Sequence, residues 1–261
     1  MGDSVRLFSM RSDDYARYRP TYPDPLFTWL AQHAPRTRVA IDVACGTGQA
    51  TIPLLGRFAQ VLACDASGDQ LGGASGWGDA QRVVTHADRL PLRDGSADLM
   101  VVAQALHWFA TPAFFAEARR VLAPDGLFCA WCYSLPRIDS ALDECIDRLH
   151  SDTLADYWPP GRASVDGGYR DIHPPFVPLI PPDFTIEAHW SLPQLLGYLR
   201  TWSAVKQWQR VQGRDPVAEW ETEFAQRWGL PASRRPIRWP LHFIAGYPGR
   251  QEPPCTTNCW P

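Results

Sequence analysis

Strong charge of one sign and long apolar runs are both absent from this sequence of 261 residues. The formal net charge is −3 and the basic residues are dispersed, which argues against a nucleic-acid surface. The best apolar run, residues 99–109, contains Gln104 and His107 and is too short to cross a membrane. The first ten residues lack the apolar core of a secretory signal. We therefore expect a cytoplasmic globular protein that has neither nucleic acid nor membrane as a partner.

The seven cysteines form no pattern typical of a disulfide framework or a metal site. Cys129 and Cys132 have the spacing of a metal-binding pair, but residues three apart on a strand face opposite sides of a sheet. Cys255 and Cys259 lie near the end of the sequence without a neighbouring histidine. We expect reduced thiols, most of them buried, and no metal.

Continuous apolar runs alternate with helical patterns in the first half of the chain. Five such runs predict buried parallel strands: residues 39–43, 61–64, 82–86, 99–103 and 127–131. Three helical patterns lie between them: residues 50–57, 68–74 and 112–122. Residues 184–190 and 237–243 alternate between apolar and polar, which predicts an antiparallel pair at one end of the sheet. The expected fold is α/β and Rossmann-like: a doubly wound, mostly parallel seven-stranded sheet with an antiparallel strand near one edge and helices on both faces.

One domain is expected over residues 1–248, followed by a tail at residues 249–261. Residues 1–36 would form an amino-terminal lid over the site. Helical spacing at 138–149, at 195–205 and at 215–229 predicts further helices. The stretch 159–182 carries seven prolines and is either an ordered loop that walls a cavity or a solvated connector. We expect an insertion at about residues 152–182 and the helices at about 192–229 to form a substrate cap.

A buried strand that contains Asp42 leads into a glycine-rich turn and then a helix. Gly46 and Gly48 leave bare backbone at the helix start, where a ligand can approach closely. A dinucleotide-binding turn would carry a third glycine where Thr51 stands, and a phosphate loop would require Gly-Lys-Ser or Gly-Lys-Thr. Asp42 is an odd neighbour for a pyrophosphate but suits a ligand with a cationic end. The turn therefore indicates a cofactor site other than a phosphate loop.

Two further acids follow the next two strands. Asp65 stands about twenty residues after the glycines, where a carboxylate can accept both ribose hydroxyls. Asp88 follows the third predicted strand, where it could accept the adenine amino group. Each acid alone is equally typical of a helix cap. In this order on successive strands, Asp42, Asp65 and Asp88 favour S-adenosylmethionine as the cofactor.

These residues resemble the class I S-adenosylmethionine-dependent methyltransferases. The class motif covers residues 42–48, Asp65 and residues 88–91. Residues 15–23, 103–109, 201–204 and 238–241 are similar to the small-molecule branch that includes the trans-aconitate methyltransferases. One departure is Ala44, where the family commonly has glycine, and alanine is tolerable there if its φ is negative.

The resemblance implies cofactor-binding roles for ten residues: Tyr18, Asp42, Ala44, Gly46, Gly48, Asp65, Ala66, Asp88, Arg89 and Gln104. It also implies that residues 104–108 lie beside the sulfonium and the acceptor, and that residues 15–22 fold over the cofactor. Candidate substrate-binding residues are Arg17, Trp108, Tyr133 and Trp202. The expected substrate is a small molecule, and the chain is expected to be a monomer or a homodimer.

The methyl acceptor is left open. A carboxylate would need no base and would be oriented by arginines, with Arg17, Arg19, Arg137 and Arg170 as candidates. A hydroxyl or amine acceptor would need a base, for which His107 is the best placed; the alternative is that His107 only orients its loop. We expect methyl transfer to oxygen, with carbon or nitrogen as the alternative acceptor. A nicotinamide oxidoreductase, which the missing third glycine disfavours, and a non-catalytic cofactor-binding module are the remaining alternatives.

Overall fold

The structure, a computed structural model, describes residues 18–72 and 76–249. Within these ranges there are nine strands: β1 (Val39–Val43), β2 (Gln60–Asp65), β3 (Gln81–Val84), β4 (Ala97–Ala103), β5 (Leu122–Cys132), β6 (Val177–Leu179), β7 (Thr185–Trp190), β8 (Arg235–Pro240) and β9 (His242–Tyr247). The same ranges contain nine α-helices: α1 (Asp24–His33), α2 (Thr51–Leu54), α3 (Gly68–Gly72), α4 (Pro112–Val121), α5 (Ser140–Arg148), α6 (Arg162–Asp166), α7 (Leu192–Leu199), α8 (Ser203–Gln212) and α9 (Pro216–Trp228).

The main sheet has seven strands in the order β3-β2-β1-β4-β5-β9-β6. Strands β1 to β5 pair in parallel, while β9 runs antiparallel between β5 and β6. The helices α2, α3 and α4 connect successive parallel strands, as a doubly wound sheet requires. This confirms the predicted fold class and its antiparallel strand near one edge.

The predicted antiparallel pair forms, but it does not extend the main sheet. Strands β7 and β8 pair as a separate two-stranded sheet. The chain leaves this small sheet after Pro240, where the Leu241 N–H donates to the Phe184 carbonyl, and then enters β9 of the main sheet. The single run predicted over residues 237–243 was therefore wrong, because its period-two pattern continues across the change of sheet.

Two hydrophobic cores lie on opposite faces of the main sheet. Alternate residues of β5 contribute to each core, with Cys129 and Trp131 in the first and Phe128 and Cys132 in the second. Cys129 and Cys132 are both fully buried, and they pack into different cores. Five cysteines in the described ranges are buried free thiols.

Helices α5, α7, α8 and α9 and the small sheet extend the first core above the parallel strands. The single helix predicted across residues 195–205 was wrong, since Trp202 is extended with φ −64° and ψ 138° and separates α7 from α8. The proline-rich stretch is ordered and contains helix α6 and strand β6 rather than only loop. Residues 73–74 of the predicted second helix, residues 1–17 of the predicted lid and residues 250–261 of the predicted tail lie outside the described residues. Among the helices that the structure describes, each is too short or too polar to span a lipid bilayer.

Candidate active site

Asp42 lies on β1 in the centre of the sheet and is fully buried. Its Oδ2 accepts a hydrogen bond from the Thr51 hydroxyl at 2.6 Å, whereas its buried Oδ1 has no hydrogen-bond partner among the described residues. Burial raises the pKa of Asp42 to about 7; nearby Asp65 adds to the rise and the Thr51 hydroxyl opposes it. Thr51 occupies the position of the missing third glycine, and this hydrogen bond gives that threonine a function.

The turn after β1 has an unusual backbone. Ala44 has φ +57°, so the negative φ that we required for an alanine at this position was wrong. Gly46 and Gly48 also have positive φ, at +55° and +86°. A Cβ on Gly48 would lie 2.8 Å from the Trp77 ring, so only glycine fits there. A Cβ on Gly46 would meet only the Gln70 Oε1 at 3.9 Å, which leaves that face of the turn open.

Asp65 holds this turn against the end of β2. Its Oδ2 accepts a hydrogen bond from the Gly46 N–H at 2.8 Å, and its Oδ1 accepts one from the Ser67 N–H at 2.8 Å. Ala66 is exposed beside it. Each carboxylate oxygen can accept further hydrogen bonds, so a ribose diol remains compatible with this arrangement.

Asp88 and Arg89 lie in the loop that follows β3, and both are exposed. The Arg89 N–H donates to the His86 carbonyl, which folds the loop into a turn. Since β3, β2 and β1 are neighbours and parallel, Asp88, Asp65 and the glycine turn follow the same edge of the sheet.

A pocket opens at the carboxyl ends of β4 and β5. It brings together six of the predicted residues: Arg19, Gln104, His107, Trp108, Tyr133 and Trp202. Nine further residues complete its lining: Ser134, Trp158, Pro159, Arg162, Val165, Tyr198, Thr201, Ser203 and Lys206. These come from the strand ends, from α6 and the loop before it, and from α7 and α8.

Gln104 joins β4 to the residue after β5 with its side-chain amide. Its Nε2 donates to the Tyr133 carbonyl at 2.8 Å, and its Oε1 accepts from the Tyr133 N–H at 2.8 Å. The Gln104 backbone has φ +56°, a left-handed conformation that costs a non-glycine residue about 1–2 kcal/mol. The paired hydrogen bonds hold this conformation at the floor of the pocket.

His107 lies in a short 3₁₀ helix, Leu106–Trp108, directly after Gln104. Its Nδ1 lies 3.1 Å from the hydroxyl of Tyr169, which is 1% exposed. Burial lowers the pKa of His107 to about 4, and the nearby Arg162 guanidinium adds to this effect. The imidazole is therefore neutral at physiological pH.

Cationic side chains line the pocket from three directions: Arg19, Arg162 and Lys206. The Arg162 guanidinium lies 4.2 Å above the Trp158 ring, and its Nε donates to Asp166 at 2.9 Å. The Arg19 Nη1 donates to the Tyr133 hydroxyl at 3.1 Å. No aspartate or glutamate lines this pocket in the part of the chain that the structure describes.

The remaining predicted residues lie elsewhere. The Tyr18 ring packs against α7, where a Cβ on Gly197 would lie 2.6 Å from it. Arg17 lies outside the described residues. Arg137 pairs with Asp147 at 2.9 Å and does not line the pocket, and Arg170 faces His242 instead.

Several residues that shape the site were not predicted from the sequence. Arg162, Trp158 and Tyr169 all come from the predicted insertion at about residues 152–182, whose path the sequence pattern did not define. The one local signal was the spacing of Arg162 and Asp166, which is typical of an ion pair on one helical turn. The sequence indicated Thr51 only as the residue that stands where a dinucleotide-binding turn has its third glycine.

The glycine turn and its acids fit an adenosine cofactor with a cationic end. The buried, unpartnered Oδ1 of Asp42 is suited to a positively charged donor, and the open face at Gly46 admits a ligand against the backbone. Asp65 and Asp88 continue along the same edge of the sheet. Gln104 and His107 stand at the end of β4, which pairs with β1 and so places the pocket beside the turn.

The chain is similar to known methyltransferases. Residues 41–130 match the methyltransferase domain family. A Dictyostelium discoideum protein assigned to the methyltransferases is 32% identical over 216 residues, which are 81% of this chain and 82% of that protein. A malonyl-[acyl-carrier protein] O-methyltransferase of Geobacter sulfurreducens is 35% identical over 126 residues, 44% of this chain and 46% of the relative. A solved structure from Anaeromyxobacter dehalogenans, assigned as a type II methyltransferase, has a TM-score of 0.83 and 39% identity, covering 90% of this chain and 100% of that one.

Proposed function

The chain belongs to the class I S-adenosylmethionine-dependent methyltransferases, and from this we propose that it methylates a carboxylate oxygen of a small organic acid. The observation that carries the proposal is the charge of the pocket. Arg19, Arg162 and Lys206 line it, and no aspartate or glutamate is among its described lining residues; Asp166, which pairs with Arg162, lies outside that lining. Such a pocket favours an anion and disfavours a neutral or cationic acceptor.

Bound S-adenosylmethionine supplies a methyl group activated on a sulfonium. In this proposal Asp42 binds the amino group of the cofactor with its unpartnered Oδ1, and the backbone at Ala44, Gly46 and Gly48 borders the methionine and ribose. Asp65 and Ala66 border the ribose, while Asp88 and Arg89 border the adenine.

Gln104 and Tyr18 complete the proposed cofactor site. Gln104 stands at the end of β4, between the glycine turn and the pocket, and Tyr18 belongs to the segment that precedes α1. We further infer that residues 1–36 form a lid and that the rest of the chain to residue 248 is one domain. Its insertion at residues 152–182 and its helices at residues 192–229 form a substrate cap, because Trp158 and Trp202 line the pocket from these two segments.

The acceptor carboxylate is oriented by the cationic side chains. Arg162 is rigid, because Trp158 lies under its guanidinium and Asp166 accepts a hydrogen bond from its Nε and forms an ion pair with it. A carboxylate is already ionised at neutral pH, so an acceptor held by these side chains would need no base when the bound cofactor supplies its methyl group, and no proton would have to move. Trp108, Tyr133 and Trp202 surround the acceptor and exclude water. Alignment and desolvation of this kind supply on the order of 7–11 kcal/mol.

The state of His107 disfavours acceptors that need a base. A neutral imidazole whose pKa is about 4 is a weak base, whereas a phenol or alcohol must lose a proton of much higher pKa. The Geobacter sulfurreducens relative, by its name, methylates an oxygen of a malonyl group. Both points support a carboxylate oxygen as the acceptor.

The experiment is a transfer assay with methyl-labelled cofactor. Aromatic and aliphatic carboxylic acids are compared with their amides and with the matching alcohols. We expect label only on the acids, in a product that mild alkali hydrolyses to methanol, as a methyl ester requires. Label in an alkali-stable product formed from an alcohol or an amine would refute the proposal.

The same assay includes one pair of arginine variants. Arg162→Gln should raise KM for the acid about tenfold or more, because hydrogen bonds to a charged group contribute about 1.5–3 kcal/mol. Arg137→Gln is the matched control, since Arg137 pairs with Asp147 outside the pocket and its loss should leave KM unchanged. Equal KM values for the two variants would remove Arg162 from the acceptor site.

A further inference from the structure

In the hydrogen bond between Tyr169 and His107, the phenol is the donor and the imidazole is the acceptor. Tyr169 follows α6 with φ +61°, and its ring is directed beneath the loop that carries His107. Burial raises the pKa of the Tyr169 phenol well above its usual value, so the phenol keeps its proton. Among the described residues, the hydrogen-bond partner of the Tyr169 hydroxyl is the His107 Nδ1. If this buried phenol only accepted a hydrogen bond from Nδ1, its own proton would be left without a partner, which is costly; the phenol therefore donates to the His107 Nδ1.

The direction of this bond determines where the imidazole carries its own proton. A neutral imidazole has one N–H, and a nitrogen that accepts a hydrogen bond is the one without it. His107 Nδ1 accepts from Tyr169, so the ring proton lies on Nε2. His107 lines the pocket, and no hydrogen bond to its Nε2 is recorded among the described residues.

Packing prevents the ring from turning over. The chain before α6 lies against His107, since a Cβ on Gly161 would come within 3.2 Å of the His107 Cδ2 and 3.1 Å of its carbonyl oxygen. A ring flip would also break the bond to Tyr169, which is fixed in the second core. The nearby Arg162 guanidinium opposes protonation of the ring at either nitrogen.

We propose that Tyr169 holds His107 in its Nε2–H tautomer, and that this N–H donates a hydrogen bond to the carboxylate of the acceptor. His107 is then a binding residue and Tyr169 a positioning residue. The second part rests on the proposed function, since it requires an anionic acceptor; the tautomer itself does not. The imidazole neither accepts nor releases a proton during transfer.

Nitrogen-15 NMR of the imidazole rings tests the tautomer in the full chain without any acceptor. The sequence has seven histidines, and the spectrum of His107→Gln identifies the resonances of His107 by their loss. We expect one neutral ring with its proton on Nε2 between pH 6 and pH 8. In Tyr169→Phe the ring should become a mixture of the two neutral tautomers. A proton on Nδ1 in the unsubstituted protein, or an unchanged ring in Tyr169→Phe, would overturn the proposal.

Amide replacements test the donor. The glutamine amide nitrogen lies near the position of a histidine Nε2, whereas the asparagine amide nitrogen lies near that of Nδ1. With a carboxylic acid as acceptor, His107→Asn and His107→Ala should raise KM about tenfold or more, and His107→Gln should raise it less. His173→Gln, on an exposed histidine, is the control. If His107→Gln is as impaired as His107→Ala, the donor is refuted.

The two experiments separate the two proposals. Methylation of alcohols instead of acids would refute the proposed function and the carboxylate contact of His107 together. The NMR result would still decide whether Tyr169 sets the tautomer.

Discussion

Three non-glycine residues with left-handed backbone lie at the site. Among the described residues, Ala44, Gln104 and Tyr169 have φ values of +57°, +56° and +61°. Ala44 belongs to the glycine turn, Gln104 forms the floor of the pocket, and Tyr169 contacts His107. Each such conformation costs about 1–2 kcal/mol, so the fold must stabilise it by other contacts. Backbone strain is therefore concentrated where ligands are expected to bind.

Ala44 allows this strain to be measured. Ala44→Gly removes the Cβ that disfavours φ +57°, so we expect the free energy of unfolding to rise by about 0.5–1 kcal/mol. Part of the gain is offset because glycine makes the unfolded chain more flexible. Urea denaturation of the two proteins at one pH measures the difference.

A helical alanine is the control for this substitution. Ala225→Gly in α9 introduces the same change into regular helix, where it should lower the free energy of unfolding by about 1 kcal/mol. The two substitutions should have opposite signs. A loss of stability in Ala44→Gly would mean that the turn carries no strain at this residue.

At the scale of helices and strands, the close contact of Tyr18 with α7 is unusual. Gly197 lies in the interior of α7, where glycine is normally unfavourable, and its missing side chain makes room for the Tyr18 ring. A Cβ there would lie 2.6 Å from the ring. This contact joins the segment before α1 to the helices that cap the pocket.

Gly197→Ala should therefore fail to stabilise the protein as a helical alanine normally does. Its helix-propensity gain of about 1 kcal/mol should be cancelled by displacement of the Tyr18 ring. In a Tyr18→Ala background the same substitution should stabilise by about 1 kcal/mol, because the space is then free. The four proteins form a double-mutant cycle, measured by urea denaturation.

Gly72→Ala is the control for Gly197→Ala, because a new Cβ at this helix end has space around it. No described atom lies within 4 Å of a Cβ on Gly72, so a modest gain in stability is expected with or without Tyr18. Additive effects of Gly197→Ala and Tyr18→Ala would show that the two residues do not interact.

The elements predicted best from the sequence are those buried on both faces of the sheet. Strands β1, β2, β4 and β5 are continuous apolar runs, because both of their faces meet a core. Strand β6 is short and mostly exposed, so its sequence, Val177–Leu179, carries no strong pattern. The break between α7 and α8 was also missed, since apolar spacing continues through Trp202 although its backbone leaves the helix.

For the molecule as a whole, the residues that strand ends bring together were predictable from the sequence, and those that the proline-rich stretch brings were not. Asp42 and Asp65 stand at the ends of predicted strands, and parallel topology brings strand ends to one edge. Arg162 and Tyr169 reach the site only through the path of the proline-rich stretch, which depends on tertiary packing. A strand end is a property of local sequence, whereas the approach of a distant loop is not.

The stability of the whole chain should depend on the protonation of Asp42. The unfolded chain has an aspartate pKa near 3.8, and in the folded protein this pKa is about 7. Between these values the folded state binds a proton that the unfolded state lacks. The free energy of unfolding therefore falls as pH rises through this window, by an amount on the order of 4 kcal/mol from this residue alone.

His107 changes the free energy of unfolding with pH in the opposite direction, so a variant is needed to isolate the contribution of Asp42. Its pKa falls from 6.5 to about 4 on folding, so the unfolded chain binds the extra proton and stability rises with pH over that interval. Asp42→Asn removes only the first contribution. We expect Asp42→Asn to become more stable relative to the unsubstituted protein as pH rises from 4 to 8, as measured by the two free energies of unfolding.

The same titration tests the ligand assigned to Asp42. S-adenosylhomocysteine carries an ammonium group, which would favour the ionised carboxylate and release its proton on binding. With the ligand at saturation, the fall in unfolding free energy with rising pH that Asp42 causes should disappear from the unsubstituted protein. Asp42→Asn should also bind the ligand more weakly. Parallel stability profiles for the two proteins without ligand would show that Asp42 is already ionised. An unchanged slope on adding ligand would place the ammonium group away from Asp42.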